Sequence, residues 1–160
     1  MSIEVRLVRD SDLPTLRERQ ARPDLNLVDE HFELAKGGTM LFAVALEDGE
    51  PVGTALLDVT EDYEWVPELR NMWVYPHARR RGAGRALSSW LEQRAREHGH
   101  DAVHLAVDPN NEKAIPLYVS LEYRPTGEHL FVPDPEVPQV DESVQPAKHY
   151  AIYRKSLTQQ

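Results

Sequence analysis

Hydrophobic and polar residues along the chain follow two periods, and the changes between them outline the secondary structure. Alternation at 3–7 and 103–107 predicts strands, because side chains of an extended chain point to opposite faces in turn. At 84–98 apolar residues recur three and four positions apart, which predicts a helix that ends at Gly99. The apolar stripe of this helix consists of Ala86, Leu87, Trp90, Leu91 and Ala95.

Alternation, cap residues and turn residues predict the remaining elements. We expect helices at 10–20, 28–36 and 111–121, and strands at 39–46, 51–59, 68–75, 127–132 and 150–157. The predicted order is β-α-α-β-β-β-α-β-α-β-β, which is typical of a mixed α/β fold in one system of layers.

The composition of the 160 residues is that of one ordinary domain, 1–160, and a hydrophobic share of 41% supplies one core. No apolar run approaches the roughly 18 residues of a membrane span, and no secretory signal is visible. The chain lacks cysteine, which excludes disulfides, thiolate metal sites and a cysteine nucleophile. We expect a cytoplasmic protein with a proline-rich loop at 133–146.

Acidic residues outnumber basic ones by 27 to 18, so the formal net charge is −9. Such a chain repels the phosphate backbone, and we expect no nucleic acid among its partners. The charges are also segregated along the sequence. Four arginines lie within 79–85 and five acids within 58–68, which suggests binding of two different ligand ends.

The strand at 68–75 changes its apolar phase in the middle. Leu69 occupies an odd position, whereas Met72 and Val74 occupy even ones. A slip of one residue is what a β-bulge produces, and a bulge frees backbone groups for pairing with another extended chain. The aromatic residues at the alternating positions allow a second interpretation, namely a strand that is buried on both faces.

A loop rich in arginine and glycine leads from this strand into the helix at 84–98. The first turn of a helix has free backbone N–H groups and the positive end of the dipole. Glycine lets the backbone approach a phosphate, and arginine adds charge-assisted hydrogen bonds. The loop therefore has the chemistry of a pyrophosphate site, although it matches neither the Rossmann nor the P-loop motif. An ordinary helix start with surface arginines is the alternative.

Three motifs in chain order resemble the GNAT N-acetyltransferase superfamily. The Arg-x-x-Gly-x-Gly of 79–84 resembles the family's Arg/Gln-x-x-Gly-x-Gly/Ala motif, and 69–76 resembles the strand before it. Downstream, 111–123 is similar to the family's Asn-x-x-Ala…Leu-Tyr…Leu-Gly-Phe segment. The resemblance covers about residues 3–132 and implies the GNAT-like acyl-CoA N-acyltransferase fold, a largely antiparallel central sheet flanked by helices.

The resemblance implies a role for each matching position. Backbone groups of Met72, Trp73 and Val74 would pair with the pantetheine arm and the acetyl carbonyl of acetyl-CoA. The pyrophosphate would be bound by Arg79, Arg80, Arg81, Gly82, Ala83, Gly84 and Arg85. Asn111 would contact the pantetheine or the sulfur end, and Tyr118 would protonate the departing thiolate. A phenol with a pKa near 10 suits that role, and a core tyrosine is the alternative.

Acids at the head of the strand are the candidates for the base that takes a proton from the amine. Glu68 is the first candidate. Glu64 and Asp62 are the next candidates and would accept the proton through water. The cluster would also attract a small amine, a polyamine or a lysine-type substrate. The alternative is an acidic hairpin turn that is simply exposed to solvent. Two positions depart from the family: Ala106 stands where some members carry a glutamate base, and Glu122 replaces a glycine.

The sequence thus predicts an N-acetyltransferase in which a primary amine of a small molecule or peptide attacks acetyl-CoA directly within a ternary complex. A non-catalytic acyl-CoA-binding or regulatory module, and a transferase of a different acyl-CoA, are the alternatives. No metal is expected, because His98, His100 and His104 lack the spacing of ligands. The resemblance also allows a homodimer.

Overall fold

The computed structural model describes residues 3–20, 23–60, 66–107, 114–133 and 147–157. The elements in chain order are β1 (Ile3–Leu7), α1 (Leu13–Arg19), α2 (Leu27–Lys36), β2 (Met40–Glu47), β3 (Glu50–Asp58), β4 (Glu68–Val74), α3 (Ala83–Glu97), β5 (Ala102–Val107), α4 (Ala114–Ser120), β6 (Arg124–Pro133) and β7 (Ala147–Ser156). Single 3₁₀ turns occur at Asp10–Asp12, Pro23–Leu25 and Pro76–Ala78. The order of helices and strands predicted from the sequence is confirmed.

The strands form one sheet in the order β1-β2-β3-β4-β5-β7-β6. Every neighbouring pair is antiparallel except β4 and β5, which run parallel. The predicted mixed α/β class with a largely antiparallel central sheet is therefore confirmed.

Some boundaries differ from the prediction because tertiary pairing sets them. The helix expected at 10–20 is split, since Pro14 occupies the first turn of α1 and a 3₁₀ turn precedes it. β6 begins at Arg124 rather than at residue 127, because Arg124 pairs with Arg154 across β7. Pro133 ends β6, and the rest of the predicted proline-rich loop, 134–146, lies outside the described residues.

The sheet is covered by helices on both faces, and alternation along β2 explains how. Ala43 and Ala45 pack with α3, whereas Val44 and Leu46 pack with the first two helices on the opposite face. On α3, Leu87, Leu91 and Ala95 are fully buried, as the predicted stripe required. The buried face of α3 also contains Ser88 and Glu92, which the apolar pattern did not indicate.

The turn after α4 accommodates Glu122 at the position where the resembled motif has glycine. Glu122 adopts a left-handed conformation with φ 74°. The N–H of Tyr123 bonds to the carbonyl of Tyr118 and that of Glu122 to the carbonyl of Val119, which together form a Schellman motif. The hydroxyl of Tyr123 donates to Glu92 Oε2 at 2.8 Å, and Lys155 Nζ donates to the other oxygen at 2.9 Å. Glu122 thus keeps the left-handed conformation that glycine would adopt more easily.

Within the described residues, no helix is long and apolar enough to cross a membrane. Nor does any group of three or more His, Cys, Asp or Glu side chains in that part of the chain have the arrangement of a metal site.

Candidate active site

β4 contains the bulge that its phase change predicted. Thr54 of β3 pairs with Trp73 and Leu56 pairs with Arg70, so two residues of β4 lie opposite one residue of β3. Asn71, one of these two, has a left-handed φ of 51°. As a result, Leu69 and Met72 pack toward α3, whereas Trp73 packs toward α1 and α2. The bulge is therefore confirmed, and it reverses the faces of the strand.

Gly53 of β3 makes room for the bulge. A Cβ atom at this position would lie 2.9 Å from the carbonyl oxygen of Trp73 and 3.2 Å from the Cα of Val74. Both are backbone atoms, so the strand itself would have to move. The close approach of the two strands at this point requires glycine.

β4 and β5 pair near their N-terminal ends and separate after that. Their described residues share a single ladder pair, Glu68 with His104, whereas β5 pairs along its whole length with β7 on its other edge. The facing edges past Glu68 therefore keep backbone N–H and C=O groups that the sheet does not use. An extended chain can insert there and form those hydrogen bonds.

The first turn of α3 lies next to this opening and carries free N–H groups. Gly82 caps the helix with φ 92°, no side chain caps it, and the first turn contains no acid. Since the N–H of Ala86 bonds to the carbonyl of Gly82, the three preceding N–H groups have no helical partner. A Cβ at Gly82 would meet nothing within 4 Å, whereas one at Gly84 would lie 3.4 Å from Met72 Sδ. Gly82 thus opens the turn to an anion, and Gly84 packs the helix on β4.

The arginines of the loop differ in their contacts. Arg79 Nε donates to the carbonyl of Val74 at 3.1 Å, and its guanidinium lies 5.1 Å from the centre of the Trp73 ring. Arg81 Nη1 donates to Glu47 Oε1 at 2.8 Å. Arg85 makes a long contact of 3.4 Å with the Ser120 carbonyl. Arg80, with φ 67°, has no ion pair or side-chain hydrogen bond to a described residue. Arg80 and Arg85 therefore have the guanidinium groups most available to a ligand.

Tyr118 lies on α4, which packs beside the first turn of α3. Leu117 approaches within 3.9 Å of the position that a Gly84 Cβ would occupy. Tyr118 is partly buried against the main core, and burial raises the pKa of its phenol. The phenol therefore stays protonated near neutral pH and can act as an acid. Asn111, the other predicted residue of this segment, lies outside the described residues.

Glu68 is buried at the closed end of the opening, with 3% of its surface exposed. Burial raises the pKa of its carboxyl to about 7, Arg70 opposes the shift, and Asp58 adds to it. Arg70 Nε lies 3.4 Å from Glu68 Oε1, and Arg70 Nη1 lies 3.1 Å from Asp58 Oδ2. A carboxyl with this pKa is suited to accept a proton near neutral pH. Asp62 and Glu64, the other predicted candidates, lie outside the described residues.

A cavity of about 270 Å³ lies on the other side of β4, between the sheet and the first two helices. Its lining consists of Leu16, Gln20, Leu27, Val28, His31, Phe42, Thr54, Asn71, Met72, Trp73 and Tyr75. Asn71 Nδ2 donates to His31 Nε2 at 3.0 Å, and burial lowers the pKa of His31, so the imidazole is neutral. This cavity was not predicted from the sequence, and of its lining only Met72 and Trp73 were predicted as site residues. The aromatic residues alternating on the second face of β4 were the available signal.

Comparison with solved structures identifies the fold. The chain superimposes on a GNAT-family protein from Desulfovibrio desulfuricans with a TM-score of 0.73 and 20% identity, over 98% of this chain and 100% of that one. The yncA protein of Salmonella typhimurium, solved with its cofactor acetyl-CoA, gives 0.69 and 18%, over 100% and 96%. The ribosomal-protein-S18-alanine N-acetyltransferase of Escherichia coli gives 0.69 and 21%, over 99% and 96%.

Sequence comparison agrees with the fold. Among curated proteins, no sequence matches the chain significantly. The model of the Acetyltransferase (GNAT) family matches residues 6–123, most of the chain and all of β4, α3 and α4. The chain therefore belongs to the GNAT acetyltransferase family.

Proposed function

We propose that this protein is an acetyl-CoA-dependent N-acetyltransferase that acts on a primary amine by direct transfer in a ternary complex. One observation carries the proposal: β4 and β5 separate beside an uncapped helix N-terminus, and a buried carboxyl with a pKa of about 7 lies at the closed end. An opening with free backbone groups, an anion site and a base are the parts that acetyl transfer to an amine requires.

The described residues fit acetyl-CoA in two places. The free N–H groups after Gly82, together with Arg80 and Arg85, would hold the pyrophosphate. The edge of β4 that does not pair with β5, at Met72, Trp73 and Val74, would bind the pantetheine arm and orient the carbonyl. When bound, acetyl-CoA supplies an activated acetyl thioester and a thiol leaving group.

The chain's own residues would move two protons. The Glu68 carboxylate would accept the proton of the ammonium group through water, so that the amine becomes a nucleophile. The Tyr118 phenol, whose pKa burial raises, would give its proton to the sulfur atom. The chain has no cysteine, so no acyl-cysteine intermediate can form and the acetyl group would pass straight to the amine.

The cavity between β4 and the first two helices is the proposed binding site of the amine. Met72 and Trp73 belong both to its lining and to the segment that would bind the thioester arm. Two ligands on opposite sides of one strand can be bound at the same time. This arrangement supports direct transfer within a ternary complex.

The test is release of thiol from acetyl-CoA in the presence of a panel of primary amines, followed with a thiol reagent. The absence of cysteine means that the protein adds no background signal. We expect turnover with at least one amine, and loss of that turnover in Tyr118→Phe without loss of acetyl-CoA binding. Binding of acetyl-CoA with no turnover of any amine would support an acyl-CoA-binding module instead. Turnover only with longer acyl-CoA thioesters would identify a different donor.

A further inference from the structure

The described lining of the cavity beside β4 is uncharged, although charged groups lie close to it. The described residues that line it include no Asp, Glu, Lys or Arg. Its two ionisable groups are neutral near pH 7, since burial lowers the pKa of His31 and raises that of Tyr75 to about 12. An ammonium group placed there would lose part of its hydration without gaining a counter-charge from the described lining. The cavity therefore selects an uncharged group.

Its size and walls match a small apolar substituent. The volume is about 270 Å³, and the apolar side chains of Leu16, Val28 and Phe42 are among those that line it. An apolar cavity of about 150 Å³ is sufficient to bind benzene. This cavity therefore has room for a phenyl ring or a branched alkyl group with a short linker.

The groups that attract an ammonium lie on the same face of the sheet, farther along the strands. The pair of Thr54 and Trp73 lines the cavity, and the pair of Asp58 and Glu68 follows four residues later on β3. Four residues of extended strand span about 13 Å. Arg70 lies between the two acids and brings a single positive charge to them. Arg70 can balance only one of the two acids, so a negative charge remains on this face about 13 Å along the sheet from the cavity-lining pair.

We propose that the acceptor is an amphiphilic primary amine, with its ammonium group directed toward Glu68 and an uncharged apolar substituent in the cavity. This inference rests on the proposed acetyl transfer and names the class of substrate. It excludes the polyamines that the acidic segment alone favoured, because their second ammonium group would enter the uncharged cavity.

A pair of isosteric amines tests the proposal directly. Hexylamine and 1,5-diaminopentane have the same number of heavy atoms and differ by a terminal methyl in place of an ammonium. We expect kcat/KM in thiol release to be at least about 100-fold higher for hexylamine, because only the diamine buries an unpaired charge. Equal values, or a preference for the diamine, would overturn the inference and leave acetyl transfer itself intact. Release of no thiol with any amine would overturn both.

A variant that fills the cavity tests its location. Val28→Phe adds a ring to the wall, and we expect it to raise the KM for phenethylamine at least about tenfold. The acetyl-CoA-induced shift in melting temperature should not change, because that site lies across β4. Leu34→Phe is the matched control on the same helix, at a position that is 38% exposed and outside the lining. If Val28→Phe fails to fold, Thr54→Leu fills the cavity from β3. An unchanged KM in a folded cavity-filling variant would refute the location.

Discussion

Replacing Glu68 with glutamine removes one buried carboxyl group, preserves the shape of the side chain and leaves Arg70 paired with Asp58 at 3.1 Å. As the base, Glu68 must be ionised to accept the proton of the amine, so the rate of the unmodified protein rises with pH through about 7. General base catalysis contributes roughly 10²–10⁴-fold. We therefore expect Glu68→Gln to lower kcat by at least about 100-fold at pH 8 and to remove the inflection near pH 7.

The same substitution has the opposite effect on stability. The pKa of Glu68 is about 7 in the folded protein and 4.5 in the unfolded chain, so the folded protein binds the proton more tightly. The stability from this group is complete below pH 4.5 and is lost as the pH rises through 7. At 1.36 kcal/mol per pH unit the loss amounts to about 3 kcal/mol. Glutamine does not ionise, so the variant should be more stable than the parent by about this amount at pH 8.

Two assays measure these effects on the same proteins. Thiol release between pH 6 and 9 with one amine gives the rate profile. Thermal unfolding at pH 5 and pH 8 gives the stability, and about 3 kcal/mol corresponds to a rise of about 6–12 °C at pH 8 in a chain of this size. At pH 5 the two proteins should melt at similar temperatures, because Glu68 is then largely protonated.

Substitutions of the charged residues next to Glu68 test the direction in which each one shifts its pKa. Arg70→Gln should move the inflection to higher pH, because Arg70 lowers the pKa of Glu68, and Asp58→Asn should move it to lower pH. Glu92→Gln is the matched control, a buried acid that bonds to Tyr123 and Lys155 away from the opening. It should reduce stability and keep the inflection. A Glu68→Gln protein with the parental pH profile would refute Glu68 as the base.

Three further substitutions test other parts of the site. Gly53→Ala should weaken acetyl-CoA binding about tenfold or more in calorimetry, because its Cβ would lie 2.9 Å from the carbonyl oxygen of Trp73; an unchanged affinity would contradict the need for glycine. Tyr118→Phe should lower kcat about 100-fold with no change in the Kd for acetyl-CoA, whereas a raised Kd at constant kcat would indicate a binding role. Glu122→Gly should raise the free energy of unfolding in urea by about 1 kcal/mol, because it relieves a left-handed residue; a decrease would show that the Glu122 side chain is stabilising.

The elements that could be predicted from the sequence are those whose signal is local. The stripe on α3 and the phase change between Leu69 and Met72 are properties of a few neighbouring residues, and both were found correctly. Glu92 breaks the apolar pattern of α3, and its burial depends on Tyr123 and Lys155, which lie 31 and 63 positions away. No local pattern contains such a contact.

The arginines of the loop show the same limit within one motif. Arg79 and Arg81 look equivalent in the sequence, yet one binds the Val74 carbonyl and the other binds Glu47, 34 positions earlier. The cavity beside β4 was missed for a related reason, because its walls come from two helices and three strands. Periodicity indicates which face of each element is apolar, but not where facing elements leave a space between them.

The bulge in β4 connects the two halves of the proposed reaction. Because it reverses the faces of the strand, Met72 packs toward α3 while Trp73 packs toward the first two helices, and a regular strand would reverse both. Asn71, the left-handed residue of the bulge, is bound by His31 of α2, which also forms the cavity wall. The helix that would contact the substituent of the acceptor therefore also holds the side chain of the bulge residue, next to the backbone that would orient the thioester. Recognition of the acceptor and alignment of the acetyl group then depend on one short segment, which is why changes in α2 should alter both KM and kcat.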